Sequence, residues 1–509
     1  MTIAAILDID QAIETFRGQI EGLLKIDDLQ GWDGARLQEQ EKGIRAVALE
    51  LGGQVIAQLL HDLSESKEAQ KIAQERTERW RGFGSERQGK KPVTVRTLGN
   101  VEVQLQVDYV LHRNPRQVPR PAGRKGSKRK QRGAATGQGW YPLLRWLAME
   151  ERVSPLVWST VAAFGMVSSS FAVARLQLAE WGIGLSEQRL ERLTYRFGQV
   201  SIRLTEAWMK QVELGEMPVG ETLKGQRVVL QADGGRTRLR RNKKGKRRAN
   251  GQRGYYGEWR EPKLFTLYVV DDKGQRVNSL KLPVTNDGTF GDVEAFMALL
   301  EMYLVKLGIV HATEVLVIAD GAPWIWQRLP ALLERLGLTP EQIIELIDFY
   351  HAADHLQKFA DLAFSDRTKA QKWFEAARSR MKHQPFMQLL AQMERIVQGI
   401  SGKAKRAELN KKMTYFSEQP ERFDYPQVLA LNLPIGSGAI ESLIRQVVNL
   451  RLKGAGKFWL PEHAEIILHG RCQWAAGQWD AFSNRVLTAG IDPQTVIALK
   501  INTSEPMAA

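Results

Sequence analysis

One cysteine, Cys472, stands in a chain of 509 residues. That excludes an internal disulfide framework and any zinc ribbon built on cysteine pairs, and it fits a small buried thiol in a reducing compartment. The opening stretch MTIAAILDIDQAIETF lacks the basic region of a secretory leader, and Asp8 and Asp10 interrupt it before an apolar segment forms. Long apolar runs are scarce too. Pro155 to Ala174 is uncharged over 20 residues, but Ser159, Thr160, Gly165 and Ser168 to Ser170 dilute it. A buried helix or helix pair is expected there rather than a membrane span. The expectation is therefore no membrane partner and a cytoplasmic location. No internal repeat is visible.

What is present is ordinary globular material. Hydrophobic residues make up 43% and charged residues 25%, which excludes wholesale disorder, collagen and a coiled-coil rod. At roughly 150 residues per domain, three or four modules are expected. Lys and Arg number 72 against 57 Asp and Glu, a formal charge of +15. The surplus favours a polyanionic partner, and it is focused. Residues 112–133 hold nine basic side chains and residues 236–253 hold ten, neither with an acid, and both are expected to be loops. The rest of the chain carries −4.

Helical spacing of Leu51, Val55, Ile56, Leu59 and Leu60 marks residues 1–90 as a helical N-terminal region. Val93, Val95, Val101, Val103, Leu105 and Val107 alternate with polar residues about Leu98-Gly99-Asn100. Residues 91–139 therefore read as a β-hairpin followed by a basic linker. Residues 140–222 return to helix. Ser168 to Trp181 and Ser186 to Arg196 flank a turn containing Gly182 and Gly184, which fits a helix-turn-helix or an ordinary αα-hairpin. From 223 to 365 the order is βββαβαβ, with strands expected at 227–233, 263–270, 277–284, 314–320 and 343–348. That is the element order of an RNase H-like α/β core. A helical insertion (366–430), a last core part (431–485) and a C-terminal tail (486–509) complete the chain.

Acids end three of these strands. Asp233 and Asp320 each close an apolar run and precede glycine, so their carboxylates should emerge at the sheet edge. Two such carboxylates repel, and a divalent cation relieves the repulsion. Two Mg²⁺ about 4 Å apart stabilise both the attacking and the leaving oxygen of a phosphodiester. Glu441, in the first turn of a helix behind Gly436-Ser437-Gly438, is the best third acid. As alternatives, a strand-end Asp is often a turn residue, and Glu441 complements the helix dipole or pairs with Arg445.

The segments QADGGRTR (231–238), IADGAPWIW (318–326), DFYHAADHL (348–356), IGSGAIES (435–442), RLKGAGKFW (451–459) and QWAAGQWDAF (473–482) occur in this order. Together they resemble ISKra4-type insertion-sequence transposases, over roughly residues 90 to 485. The resemblance implies a DDE transposase whose triad, and whose metal ligands, are Asp233, Asp320 and Glu441, with a helical domain inserted before the last acid. It implies two Mg²⁺, with Mn²⁺ as a substitute. Asp348 and His351 resemble an accessory motif near the catalytic site, and His355 lies one turn on; capping and solvation of a helix explain them equally. A zinc site from Asp348, His351 and His355 is weakly supported, and the cysteine pair frequent in the family is missing. Zinc is therefore not expected.

The resemblance further implies double-stranded DNA as partner, as terminal inverted repeats and as target, bound by a homo-oligomer on paired ends in a prokaryotic, nucleoid-associated setting. Arg236, Arg238, Arg240, Arg241, Lys243, Lys244, Lys246, Arg247, Arg248 and Arg253 are expected to grip backbone directly after Asp233. Arg124, Lys125, Lys128, Arg129 and Lys130 in the linker, and Arg451 and Lys453, join them. Tyr255, Tyr256 and Trp259 either stack on unpaired bases or belong to a core strand. Trp324 and Trp326 are expected to pack. Two rival functions are an RNase H-like nuclease or resolvase that cuts without joining, and a non-catalytic domesticated DNA-binding protein.

Overall fold

The computed structural model describes residues 3–26, 29–81, 85–113, 137–247, 249–251, 253–279 and 281–491. The chain divides into two compact units, Met1–Ala207 with Asp480–Ala509, and Trp208–Trp479. Each is taken by itself.

In the first unit the alternating valines do build a hairpin. Ser85–Arg96 pairs antiparallel with Val101–Arg113, Val93 opposite Leu105 and Val95 opposite Val103, and all four are buried. Helix Gly34–Glu65 lies against the hairpin so closely that a β-carbon on Gly53 would sit 2.1 Å from the Leu98 carbonyl oxygen. Among the described residues it is the one helix with the length and mean hydropathy of a membrane span. The uncharged run 155–174 breaks at Ser168 to Ser170 into helices Pro155–Val167 and Phe171–Ala179, with Ser170 Oγ accepting from the Val173 amide at 3.1 Å. Seven residues then lead to helix Glu187–Glu213, more than the three or four of a helix-turn-helix. Gly182 in this turn has φ +65° and packs on Gly99, so the turn is spent on internal packing. The last core part was expected over residues 431–485, which takes in most of helix Trp479–Thr488. From Asp480 on it belongs to the first unit instead, where Phe482 meets Phe197 at 5.8 Å between ring centroids and Ser483 Oγ bonds Ser159 Oγ.

The second unit is mixed α/β around one sheet. Its main strands are β1 (Arg227–Gly234), β2 (Lys263–Val270), β3 (Thr285–Thr289), β4 (Glu314–Ala319) and β5 (Ile343–Ile347). Their spatial order is β3-β2-β1-β4-β5, with β2 antiparallel to both its neighbours and β1, β4 and β5 mutually parallel. The interiors of β1, β2 and β4 are apolar almost without break because both sheet faces are covered.

Two expectations change. The third strand is not 277–284, of which only the Arg276–Val277 stretch pairs, with β2; it is Thr285–Thr289. Pro283 cannot donate to a ladder, and the polar strand Thr-Asn-Asp-Gly-Thr is buried because helix Pro461–Ala475 satisfies it. His469 Nδ1 lies 2.9 Å from Asp287, Tyr303 Oη donates to Asp287 at 2.7 Å, and Gln473 donates to the Asn286 carbonyl. The basic segment after Asp233, read as a loop, is a two-stranded antiparallel ribbon, Thr237–Arg247 with Arg253–Arg260. Its buried Thr237 and Leu239 alternate with exposed Arg236 and Arg238, and Gly251 turns the chain at φ +77°. After β5 come helices Phe349–Ala363, Arg367–His383, Phe386–Gln398, Lys403–Ser417 and Tyr425–Ala430, where a helical insertion was expected.

Candidate active site

Sheet register brings the acids into a row. Ala232 of β1 pairs with Ala319 of β4, and Ala319 pairs with Ile347 of β5. Asp233, Asp320 and Asp348 each follow one of these residues. They therefore occupy one line across the carboxyl ends of three parallel strands, with backbones about 4.8 Å apart. The Asp348 amide donates to the Ala319 carbonyl at 2.8 Å, which continues the register by one residue.

Glu441 arrives on helix Gly438–Ile444, and Gln231 positions that helix. Buried in the middle of β1, Gln231 accepts from the Ile440 amide at 3.1 Å and donates to the Gly436 carbonyl at 3.2 Å. Asp233 lies two residues further along the strand, on the same face. Beyond Glu441 the helix continues as a π-helical stretch, Arg445–Leu452, and Thr237 Oγ1 donates to the Leu452 carbonyl at 3.0 Å. Gln231 and Thr237 thus fasten the two ends of the Glu441 segment to β1 and the ribbon.

Asp348 has a different job. It is 1% exposed, accepts from the His351 amide at 2.6 Å as the cap of helix Phe349–Ala363, and accepts from the Ser437 amide with its other oxygen. The Phe349 amide donates to the Ile435 carbonyl at 3.0 Å. Asp348 therefore binds the start of one helix to the loop that delivers the other, and both its oxygens are engaged by backbone. A β-carbon at Gly436 would fall 2.7 Å from the Tyr350 ring, so the loop needs glycine for this close approach. Ser437 Oγ reaches Glu441 Oε1 at 3.5 Å.

The electrostatics match the geometry. Asp233 has its carboxyl pushed up to about 6, first by burial and then by the negative charges of Asp320 and Glu441, while its own contact with the Gly234 amide and the nearby His351 oppose the rise. Asp320 is held by the Ala322 amide at 2.9 Å, and its carbonyl accepts from Trp326 Nε1 at 2.6 Å. Trp326 is buried and Trp324 packs edge-on against Phe296, so both tryptophans pack. His355 stacks on Tyr415 at 3.9 Å and is lowered to about 4 by burial, with Lys358, His351 and Lys412 adding to it. Burial and the charges of Asp320 and Asp348 push the Tyr415 hydroxyl up.

Among the described residues no three His, Cys, Asp or Glu side chains converge closely enough to hold a metal ion as they stand. In the Asp348, His351 and His355 set both oxygens of Asp348 are used by backbone amides, and the two imidazole ring centroids lie 5.8 Å apart. Asp233, Asp320 and Glu441 are hard oxygen donors, and the charges of the latter two raise the proton affinity of Asp233; this is the donor chemistry that suits Mg²⁺.

Of the basic residues, Arg236 and Arg238 lie over the exposed Trp259 ring at 4.7 and 4.6 Å. Trp259 and Tyr256 are 45% and 51% exposed and so are not core. Arg240 is half-buried, Arg241 pairs with Glu258 at 2.9 Å, and Lys246, Arg247 and Lys453 are exposed. Arg451 corrects the expectation for it: 3% exposed and over the Trp459 ring at 5.0 Å, it packs inside the unit rather than facing a DNA backbone. Arg248, Arg124, Lys125, Lys128, Arg129 and Lys130, and the side chains of Lys243, Lys244, Arg253 and Tyr255, lie outside the described residues.

Sequence reasoning missed Gln231, Ser437 and Tyr415. A glutamine inside an apolar strand was a readable signal; nothing marks Tyr415, which comes from the inserted helices. No protein-family model matches the chain, and no curated protein matches it either.

Proposed function

We propose that this protein is a DDE-type DNA transposase, acting on the terminal repeats of its own element and joining them to target DNA in a prokaryotic cytoplasm. The observation that carries the reading is the placement of Asp233 and Asp320 in register at the carboxyl ends of adjacent parallel strands, with Glu441 held over them through Gln231. The sheet order 3-2-1-4-5 with an antiparallel second strand, followed by a helical insertion before the last acid, supports an RNase H-like core. The insertion-sequence resemblance, the two acid-free basic segments and the exposed arginines three and five residues beyond Asp233 support DNA as the substrate.

In this reading Asp233, Asp320 and Glu441 hold Mg²⁺, which when bound supplies charge for an oxygen nucleophile and a leaving oxygen on phosphorus. Asp233 gives up its proton readily above about pH 6, so its carboxylate is ready to bind at neutral pH. Asp348 and Ser437 fix the loop that sets the height of Glu441. Arg236 and Arg238 lie along the strand leaving the site, where they neutralise phosphates next to the one attacked. Exposed apolar side chains on the first two helices, Ile9, Ile13, Leu37 and Ile44 among them, support self-association on paired ends.

The test is cleavage and strand transfer on a supercoiled target with Asp233→Ala, Asp320→Ala and Glu441→Ala made singly. Each variant should lose both products while still binding DNA. A folded variant that retains them removes its residue from the site, and cleavage without joined product in the wild type identifies a nuclease instead.

A further inference from the structure

The first unit contains a cleft of about 550 Å³ lined by Thr94, Arg96, Glu102, Arg152, Leu185, Ser186 and Arg189. Three arginines from three separate segments face one space, against a single carboxylate among the lining residues. Arg96 ends a hairpin strand, Arg152 sits in the loop before helix Pro155–Val167, and Arg189 is in the first turn of helix Glu187–Glu213.

Two of the three are already engaged. Arg96 holds Glu102 at 2.7 Å and the Gly184 carbonyl at 2.6 Å, and Arg189 holds the Glu151 carbonyl. Arg152 is different. Its Nη1 is shut off from solvent and has no hydrogen-bond partner, although the guanidinium rests over the Tyr141 ring at 4.7 Å. Its backbone has φ +62°, a left-handed conformation that side-chain-bearing residues seldom adopt. The fold holds it there: the Arg96 amide donates to the Arg152 carbonyl at 3.1 Å, the Ser154 amide donates to the Arg96 carbonyl at 2.9 Å, and the Arg152 amide donates to the Met149 carbonyl at 2.9 Å.

Guanidiniums from three segments on one space, one of them on a left-handed backbone held by three hydrogen bonds, suit an acceptor-rich ligand. The other groups around the cleft point the same way. Burial and the neighbouring Arg192 lower the proton affinity of Arg189, the Glu151 carboxylate at 3.9 Å opposes them, and Arg96 adds a smaller repulsion across the space. The long helix presents its positive end, capped by Ser186 Oγ on the Arg189 amide at 3.3 Å.

We propose that this cleft binds a phosphate group among the guanidiniums of Arg96, Arg152 and Arg189. Planar guanidinium forks match the oxygens of a phosphate, and the volume exceeds one phosphate, so the group belongs to an ester. Its source is either a DNA backbone or a free phosphate ester. The inference uses neither the carboxylate row nor the DNA-cutting reading, and Asp233→Ala leaves it untouched.

The test compares wild type with Arg152→Gly, which removes the guanidinium while giving φ +62° to a residue that adopts it freely. Thermal unfolding is followed in inorganic phosphate against chloride at equal ionic strength, and binding to a random-sequence duplex is followed as a function of salt. A slope of log affinity against log salt that is shallower by about one in the variant assigns the cleft to a DNA phosphate. An unchanged slope, with phosphate protection present in wild type and lost in the variant, assigns it to a free phosphate ester. Equal slopes and equal response to phosphate overturn the proposal. Arg189→Gln, which leaves the strained loop intact, must give the same ordering.

Discussion

Asp233 is where burial, like charge and chemistry meet most sharply. Its carboxyl is raised from 3.8 to about 6 in the folded protein, so the native state holds that proton more tightly than the unfolded chain does. Its stabilising contribution is complete below about pH 4 and is lost as pH rises through about 6, leaving a cost on the order of 2 kcal/mol at neutral pH. Asp233→Asn, which carries no charge, should therefore melt higher than wild type at pH 7 in chelator and no higher below pH 4. Equal melting at pH 7 would contradict the burial account. Gln231 makes the opposite prediction. Gln231→Leu leaves the Ile440 amide and the Gly436 carbonyl without their partner at a cost of about 1–3 kcal/mol, and it should slow cleavage more than it weakens DNA binding. A loss in binding alone would show that Gln231 does not position Glu441.

Elements were legible where hydrophobic pattern governs and illegible where polar partners replace it. The runs ending at Asp233, Asp320 and Asp348 announce themselves because strands covered on both faces must be apolar. Strand β3 does not, because Asn286 and Asp287 are buried against His469, Gln473 and Tyr303, which come from distant parts of the sequence. Asp287→Ala should cost about 3 kcal/mol in denaturant unfolding, since it strands two buried partners, and a cost below about 1 kcal/mol would show that the network is not holding that edge. The ribbon was misread for a related reason: ten basic residues in a short segment look like a solvated loop, and the two buried positions that seat it, Thr237 and Leu239, are easily overlooked. On this element Arg236→Ala and Arg238→Ala should each make the salt dependence of DNA binding shallower by about one, whereas Arg451→Ala should lower stability and leave that slope alone. An unchanged slope in both ribbon variants would remove the ribbon from the DNA path.

For the molecule as a whole, the charge surplus sits in two acid-free basic segments, and the proposed polyanion partner would lie along them. The strands that stop at Asp233, Asp320 and Asp348 and the helix that carries Glu441 could be read because each is tied to a local pattern: an apolar run that stops at an acid, or a glycine-rich entry to a helix. What holds the acids together could not. Register between strands, the clamp by Gln231, the tie from Asp348 to Ser437 and the contact of Tyr415 with His355 depend on pairings distant in sequence, such as Ser437 with Asp348, 89 residues apart, and Ile440 with Gln231, 209 apart. The same limit hid the arginine cleft, whose residues span Arg96 to Arg189.

The central claim is that Asp233, Asp320 and Glu441 form one cation-binding site. Mn²⁺ binding to the folded, full-length protein in the presence of duplex DNA, followed by electron paramagnetic resonance, tests it without relying on activity. Wild type should bind Mn²⁺, and Asp233→Asn, Asp320→Asn and Glu441→Gln should each weaken that binding at least tenfold, about 1.4 kcal/mol or more. Four proteins that bind Mn²⁺ alike would contradict the claim.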